Sequence, residues 1–302
     1  MKELLKHNAN TLTISELEKN GENFIKYLDV DDKTIKAYRV GIRSFINFIN
    51  DNNVKNPTRE TIIAFRDYLR ENYSSNTVNT YMIAIRSLFK YLELHGRYKN
   101  IAVDIKGARY DNTPKKQVLS LKQVQNIYQG LTDLEDKCLF SLLITTGLRG
   151  IEVSRAKIED IQIYNNEIVL WVQCKKHDSK DEYVKLSNQV LEDLKNYIGD
   201  RTHGYIFVSK SNHNKGNGVT TKTLRLKIKN IFKQFGIEDN LFSLHSTRRT
   251  SATLMYESGI DIYSIQQILH HKSQNTTVRY INAVTRNQNK GEYMVSNAIF
   301  NN

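Results

Sequence analysis

Two cysteines and two prolines are all that 302 residues hold of either type. Cys138 and Cys174 form no CxxC pair. That excludes a disulfide-stapled secreted scaffold and suits a reducing compartment. No window approaches the roughly 18 consecutive apolar residues of a membrane span, and the opening MKELLKHNANTLTISELEKN has no apolar core of a secretion signal. A cytoplasmic location without a membrane partner is therefore expected. Internal repeats and low-complexity tracts are also missing, and Asp and Glu are scattered without a metal-ligand cluster. No metal and no cofactor are expected.

What is present is positive charge. Lys and Arg number 44 against 32 Asp and Glu, a formal net charge of +12. Residues 1–104 carry 16 basic and 13 acidic side chains, 105–120 carry 4 and 1, and 121–302 carry 24 and 18. Both halves are thus basic and the short middle is the densest, as a polyanion contacted by two domains requires. Length supports two domains, since single domains run to about 100–200 residues. A hydrophobic content of 39% is enough to build two cores.

Thr13 with Glu16 makes a capping-box pattern ahead of Leu17, Phe24, Ile25 and Leu28. Ile35, Tyr38, Ile42, Phe45 and Ile49 follow at near-heptad spacing. Pro57-Thr58 opens a third helix through Ile62, Phe65 and Leu69, and Ser75 or Asn76 caps a fourth from Val78 to Leu92. Nothing between residues 13 and 94 signals a strand, so residues 1–104 are expected to form one all-helical domain with its aromatic side chains in the core. Residues 105–117 follow as a basic linker, in which IKGARYDNTPKK carries Gly107, Pro114, Lys115 and Lys116. Extended, that segment suits a phosphate backbone or plain solvent equally.

The second domain, 118–302, opens on a capping box of Ser120 and Gln123, with Leu119 and Val124 placed as a hydrophobic staple. CLFSLLITTG reads as a buried helix ending at Gly147, and Cys138 within it as core. Arg149 then stands at the start of a short helix, where backbone N–H groups favour an anion. EIVLWVQ and DEYVKL are expected to be strands joined by the polar hairpin CKKHDSK, with YIFV at 205–208 as a third strand. From Thr220, one helix face carries Leu224, Ile228, Ile231 and Phe235, while Arg225, Lys229 and Lys233 recur on another with no acidic residue between Lys222 and Lys233. A stripe of one sign is expected to contact nucleic acid.

The stretch from His245 to Tyr280 is the densest in chemistry. Ser243 is positioned to cap a helix ending at Gly259, which places His245 and Arg248 on one face of its first turn. Asp261 caps a second helix that runs to His270 and His271, and Tyr280 follows nine residues later. A phenol, imidazoles and a guanidinium carried on separate short elements can converge on one anionic group.

Taken together, Arg149 with Glu152 after TTGL, a lysine in a hairpin, His245-Ser-Thr-Arg248, Leu269-His-His271 and Tyr280 within TTVRY resemble the tyrosine recombinase, or phage integrase, family. Any one motif is weak. Five in order and at spacing are specific, and the helical module ahead of them resembles that family's core-binding domain. The resemblance implies a mainly α fold, with an N-terminal all-helical SAM-like domain and a mixed α+β catalytic domain containing a small antiparallel sheet. It implies Tyr280 as nucleophile, forming a 3′-phosphotyrosyl link to DNA and freeing a 5′-hydroxyl. Arg149 and Arg248 are implied to clamp the phosphate, His245 and His271 to hydrogen-bond it or shuttle protons, Glu152 to support them, and Lys175 to protonate the leaving oxygen. The charge that develops on phosphate suits guanidinium forks, and a positioned donor contributes roughly 100- to 1000-fold in rate.

Two departures stand out. The usual Gly-Lys-Gly of the hairpin is Cys174-Lys175-Lys176 here, so Lys176 is the alternative acid, and the usual Leu-Gly-His is Leu269-His270-His271, in which His270 reads as an exposed side chain. Implied partners are double-stranded DNA, three further copies in a homotetramer on synapsed DNA, an accessory recombination protein, and a neighbouring copy that receives the C-terminal helix from residues 290–302. Without DNA the chain is expected to be monomeric or weakly associated. No room is expected for a further arm-binding domain ahead of the helical one. The hairpin wording resembles integrases of mobile elements, so integration or excision is the expected role. The alternatives are a Xer-like chromosome or plasmid dimer resolvase, a type IB topoisomerase, or a DNA-binding protein without catalysis.

Overall fold

The computed structural model describes residues 11–109, 117–174, 177–212, 214–237, 240–288 and 291–300, with the backbone alone for 282–288. The chain divides into two compact units, Met1–Asn112 and Thr113–Asn302.

The first unit holds four helices: α1 (Ile14–Tyr27), α2 (Asp32–Asp51), α3 (Arg59–Asn72) and α4 (Ser75–Leu94). Their starts are fixed by side chains that satisfy the first-turn N–H groups. The Thr13 hydroxyl accepts from the Glu16 N–H at 3.3 Å while Glu16 accepts from the Thr13 N–H at 2.9 Å. Asp31 accepts from the Thr34 N–H at 2.9 Å. At α4 the cap is Ser74, one residue ahead of the expected Ser75, because its hydroxyl reaches the Thr77 N–H. The apolar stripes close on Phe45, whose ring meets those of Phe65 and Phe89 edge-on at 5.1 and 6.0 Å. All three are fully buried, each contributing about 1.5–3 kcal/mol by leaving water. Ile105 belongs to this core, Arg86 donates to its carbonyl at 2.8 Å and Arg70 donates to that of Gly107 at 2.6 Å. The described start of the expected linker is therefore packed onto the helices. Lys115 and Lys116 lie outside the described residues.

The second unit runs α5 (Leu121–Gly130), α6 (Leu134–Thr146), α7 (Gly150–Arg155), a single 3-10 turn (Ile158–Asp160), β1 (Ile161–Tyr164), β2 (Glu167–Val172), β3 (Glu182–Lys185), α8 (Asn188–Ile198), α9 (Thr221–Gln234), α10 (Leu244–Glu257), α11 (Ile262–Ile268), α12 (Gln274–Gln288) and α13 (Gly291–Phe300). After a polar first turn, helix α6 is central, with Cys138, Leu139, Phe140, Leu142 and Leu143 fully buried. The sheet is antiparallel in the order β1-β2-β3, with Leu170 facing Ile161 on one side and Val184 on the other.

The third strand is β1, not the expected 205–208. Residue 205 makes only an isolated bridge to Lys157, and Ile206 and Phe207 are apolar because they lie in the core. The signal for β1 is Asn165-Asn166, both at positive φ (49° and 62°), a two-residue hairpin turn between β1 and β2.

Helix α10 is unusual in composition. Its buried run is Ser246, Thr247, Arg248, Arg249, Thr250, Ser251, Ala252 and Thr253, seven of them polar. Buried polar groups need partners: Thr247 donates to the Leu244 carbonyl at 2.8 Å and Thr250 accepts from the Leu119 N–H at 2.9 Å, whereas Ser251 Oγ and Thr253 Oγ1 have no hydrogen-bond partner among the described residues. Ala252, Ile265, Leu269 and Ile281 make a small separate core that fastens α11 and α12 to α10. Helix α13 buries none of its residues. Among the described residues no helix is long and apolar enough to cross a membrane.

Candidate active site

Helix α6 stops at Gly147, whose φ of +65° an L side chain resists. A Cβ there would also meet Leu269 Cδ2 at 2.4 Å. The bare backbone lets the chain turn close to α11 and leaves the Gly147 carbonyl to accept from Arg248 Nη1 at 2.7 Å. Arg149 follows as the N-cap of α7. The anion expected at this helix start is internal: Glu152 Oε2 accepts from the Arg149 N–H at 2.7 Å, and Oε1 accepts from Arg149 Nη1 at 2.7 Å. Glu152 is fully buried, and Arg248 Nη1 stands 3.8 Å from its carboxylate. One buried carboxylate thus orients two guanidinium groups.

Arg248 is 1% exposed. Its Nη2 donates to the Leu269 carbonyl, and its Nε has no partner among the described residues. Burial and the nearby Arg149 lower its pKa to about 10, against the opposing pull of Glu152 and Tyr280. It remains a cation at neutral pH.

The Tyr280 hydroxyl lies 2.9 Å from His245 Nε2. Its ring stands edge-on to both imidazoles, 5.4 Å from His245 and 5.1 Å from His271, and the Arg249 guanidinium sits 5.9 Å from the ring centre. On α12, Thr277, Tyr280 and Ile281 share one face by spacing. Thr277 and Ile281 are buried, which turns Tyr280 toward α10. His271 Nδ1 is 2.8 Å from Thr277 Oγ1, while Nε2 is buried without a partner among the described residues.

Burial, followed by the charges of Arg248 and Arg149, holds His271 down to about 3. Burial of the ring, followed by Arg248, Arg249 and Arg149, holds His245 down to about 4, although the residue as a whole is exposed. Both rings are neutral at pH 7 and able to accept a proton.

His270 overturns its expected exposure. Its side chain is 5% exposed, with Nε2 3.2 Å from the Tyr183 carbonyl and 3.8 Å from Glu182. Its backbone sits at φ +50°, a conformation costing a non-glycine residue about 1–3 kcal/mol. The turn from α11 into His271 was shaped for glycine, and the ring folds inward against β3. Its carbonyl accepts from Arg149 Nη2 at 3.3 Å.

The fold therefore brings together Arg149, Glu152, His245, Arg248, His271 and Tyr280. Lys175 and Lys176 lie outside the described residues. Arg225, Lys229 and Lys233 are all exposed on α9 and, among the described residues, make no ion pair. Lys227 on the same helix is engaged by Glu135 and Asp136, each at 3.2 Å. Arg249 and Thr277 are site neighbours that motif spacing alone does not single out. A guanidinium beside a histidine-arginine pair, and a threonine one turn before the tyrosine, are the available signals. Glu152, Cys174 and a ring nitrogen of His270 form the one group of possible metal donors found among the described residues. Chemically, the arrangement offers a phenol on a neutral proton acceptor, between cations and unsatisfied donors suited to an oxyanion.

Comparison with known proteins agrees with this geometry. The chain is 28% identical over 268 residues to tyrosine recombinase XerA of Pyrococcus horikoshii, covering 88% of this chain and 89% of that protein. It is 28% identical over 310 residues to transposase A from transposon Tn554 of Staphylococcus aureus, covering 84% of each. Among solved structures, a lambda integrase tetramer bound to a Holliday junction shares the fold at a TM-score of 0.70 and 18% identity, over 90% of this chain and 78% of that one. The sequence profile of the phage integrase N-terminal SAM-like domain matches residues 22–96. That of the phage integrase family itself matches residues 115–286, more than half the chain and the whole of the site. The chain belongs to the phage integrase family, the tyrosine recombinases.

Proposed function

We propose that this protein cleaves and rejoins DNA at specific sites, with Tyr280 as the nucleophile. The observation that carries the reading is the Tyr280 hydroxyl on His245 beside a buried Arg248, with Arg248 Nε and His271 Nε2 left unsatisfied. Unpaired buried polar groups are costly, and a phosphodiester entering beside Tyr280 would accept from Arg248 Nε and, in the tautomer whose Nδ1 accepts from Thr277, from His271 Nε2. Arg149 and Arg248 then hold the non-bridging oxygens in a pose fixed by Glu152. The phenol oxygen attacks phosphorus as its proton passes to His245, the bond to the 5′-oxygen breaks, and that oxygen takes a proton from Lys175, or from Lys176 in the second assignment. The phosphotyrosyl bond conserves the energy of the broken link, so the 5′-hydroxyl of another strand can reverse the step without ATP. Lys115, Lys116 and the α9 stripe of Arg225, Lys229 and Lys233 are assigned to the phosphate backbone.

The working form is a homotetramer on two synapsed duplexes, in the cytoplasm, from a monomeric or weakly associated protein without DNA. The lambda integrase tetramer of the same fold supports the assembly. Helix α13 supports it too: Tyr293, Met294, Val295, Ile299 and Phe300 are each more than half exposed, as a segment donated to a neighbour requires. Integration or excision of a mobile element is the favoured role, carried by the hairpin wording and the Tn554 relative. A Xer-type resolvase is the second reading, carried by the equal identity to XerA. An accessory protein belongs to either role.

The test is to express the protein in cells, recover SDS-resistant protein–DNA adducts, and locate the nucleotide by mass spectrometry. A nucleotide on Tyr280 is expected, and the attached DNA then distinguishes the ends of an element from a chromosomal site. A nucleotide on another tyrosine, or no adduct where a known tyrosine recombinase gives one, would overturn the assignment.

A further inference from the structure

Two of the positions at which the chain departs from the family pattern, Cys174 and His270, meet in space at Glu152. The Cys174 sulfur, a ring nitrogen of His270 and a Glu152 carboxylate oxygen all lie within 4.8 Å of one another. They come from the segment just after β2, the turn after α11 and the first turn of α7. All three side chains are withdrawn from solvent: Glu152 is 0% exposed, Cys174 4%, and the His270 side chain 5%.

His270 is already set for coordination. The His270 Nε2 faces the Tyr183 carbonyl at 3.2 Å, and a carbonyl only accepts, so Nε2 carries the hydrogen. In the neutral ring the lone pair is then on Nδ1, which is buried and has no hydrogen-bond partner among the described residues. A backbone carbonyl holding one ring nitrogen while the other is free to bind is the usual support of a metal-bound histidine. The Cys174 sulfur and a Glu152 carboxylate oxygen lie within the same 4.8 Å, so both can reach a common point. Donor atoms around a tetrahedral zinc ion are about 3.5 Å apart, given bond lengths of about 2.0–2.3 Å. Small rotations of Cys174 and His270 close the remaining gap.

We propose that Glu152, Cys174 and His270 Nδ1 bind a borderline-soft divalent ion of the zinc class. Sulfur, imidazole and one carboxylate select such an ion over magnesium, which prefers oxygen. Three protein ligands leave a fourth position for water. The thiol must lose its proton to bind, so uptake of one ion releases one proton. The ion shares Glu152 with Arg149, and it fixes the residue next to Lys175. Neither catalysis nor DNA is needed to detect it.

Cobalt(II), added to the reduced full-length protein, reports the site by colour. One equivalent is expected to give a thiolate-to-cobalt charge-transfer band with the strong d–d bands of a tetrahedral ion, and zinc should bleach both while magnesium does not. Cys174→Ser should abolish the charge-transfer band. His270→Gly, which relieves the positive φ and so favours folding, should also lose stoichiometric binding. An uncoloured wild-type titration, bands that survive in Cys174→Ser, or tight binding retained in His270→Gly would each overturn the proposal.

Discussion

The hydroxyl of Tyr280 and Nε2 of His245 are 2.9 Å apart although 35 residues separate them in sequence. With the ring neutral at pH 7, this contact places a proton acceptor on the attacking oxygen. Tyr280→Phe is expected to keep DNA binding, measured by mobility shift, and to lose every covalent adduct. His245→Ala should leave adduct formation possible but about 10²- to 10⁴-fold slower in single turnover. An unchanged rate would remove His245 from the proton path.

Glu152 holds two guanidinium groups from a fully buried position. Removing it leaves Arg149 and Arg248 facing one another without a counter-charge. Glu152→Ala is expected to destabilise the second unit by about 3–5 kcal/mol in urea unfolding, with Glu152→Gln milder because its amide oxygen still accepts. A loss below about 1 kcal/mol for the alanine variant would mean the two cations find other partners.

The α9 stripe is exposed, and no ion pair engages it among the described residues. Lys229→Ala with Lys233→Ala should weaken DNA binding and reduce the log–log salt slope by about 0.9 for each phosphate that is no longer neutralised. If the slope stays the same, the stripe is ordinary surface.

Acid should weaken the folded state through His271. Its folded pKa of about 3 lies below the ordinary 6.5, so between those values the unfolded chain binds more protons than the folded one. Stability therefore rises with pH across that window and is lost on acidification from 6.5 towards 3, at up to about 1.4 kcal/mol per pH unit. Urea unfolding at pH 7 and pH 5 should show a smaller drop in His271→Asn than in the wild type. Equal drops would place the acid sensitivity elsewhere.

The order of helices is legible in the sequence because their caps are written locally. Thr13-Glu16, Ser120-Gln123, Ser243 and Asp261 each satisfy a helix start within a few residues. The separation of Arg149, His245, Arg248, His271 and Tyr280 along the chain is equally readable, since each sits at a fixed offset from a helix end. Their mutual distances are not, because they depend on α10 and α12 packing through the small core of Ala252, Ile265, Leu269 and Ile281. Strand β1 is hard to read because four residues with three exposed side chains give little alternation. His270 defeats the sequence for a different reason. A side chain stands in glycine's place, but only a backbone angle and a nearby carbonyl decide whether it turns outward or in.

Helix α13 also bears on how the protein melts. Its ten residues bury nothing within the chain, and an isolated helix of that length is marginal in water. In the proposed assembly its order comes from a bimolecular contact, whereas the cores of the two units are unimolecular. Thermal unfolding should separate accordingly: an early helical loss whose midpoint climbs as protein concentration is raised, and later transitions that ignore dilution.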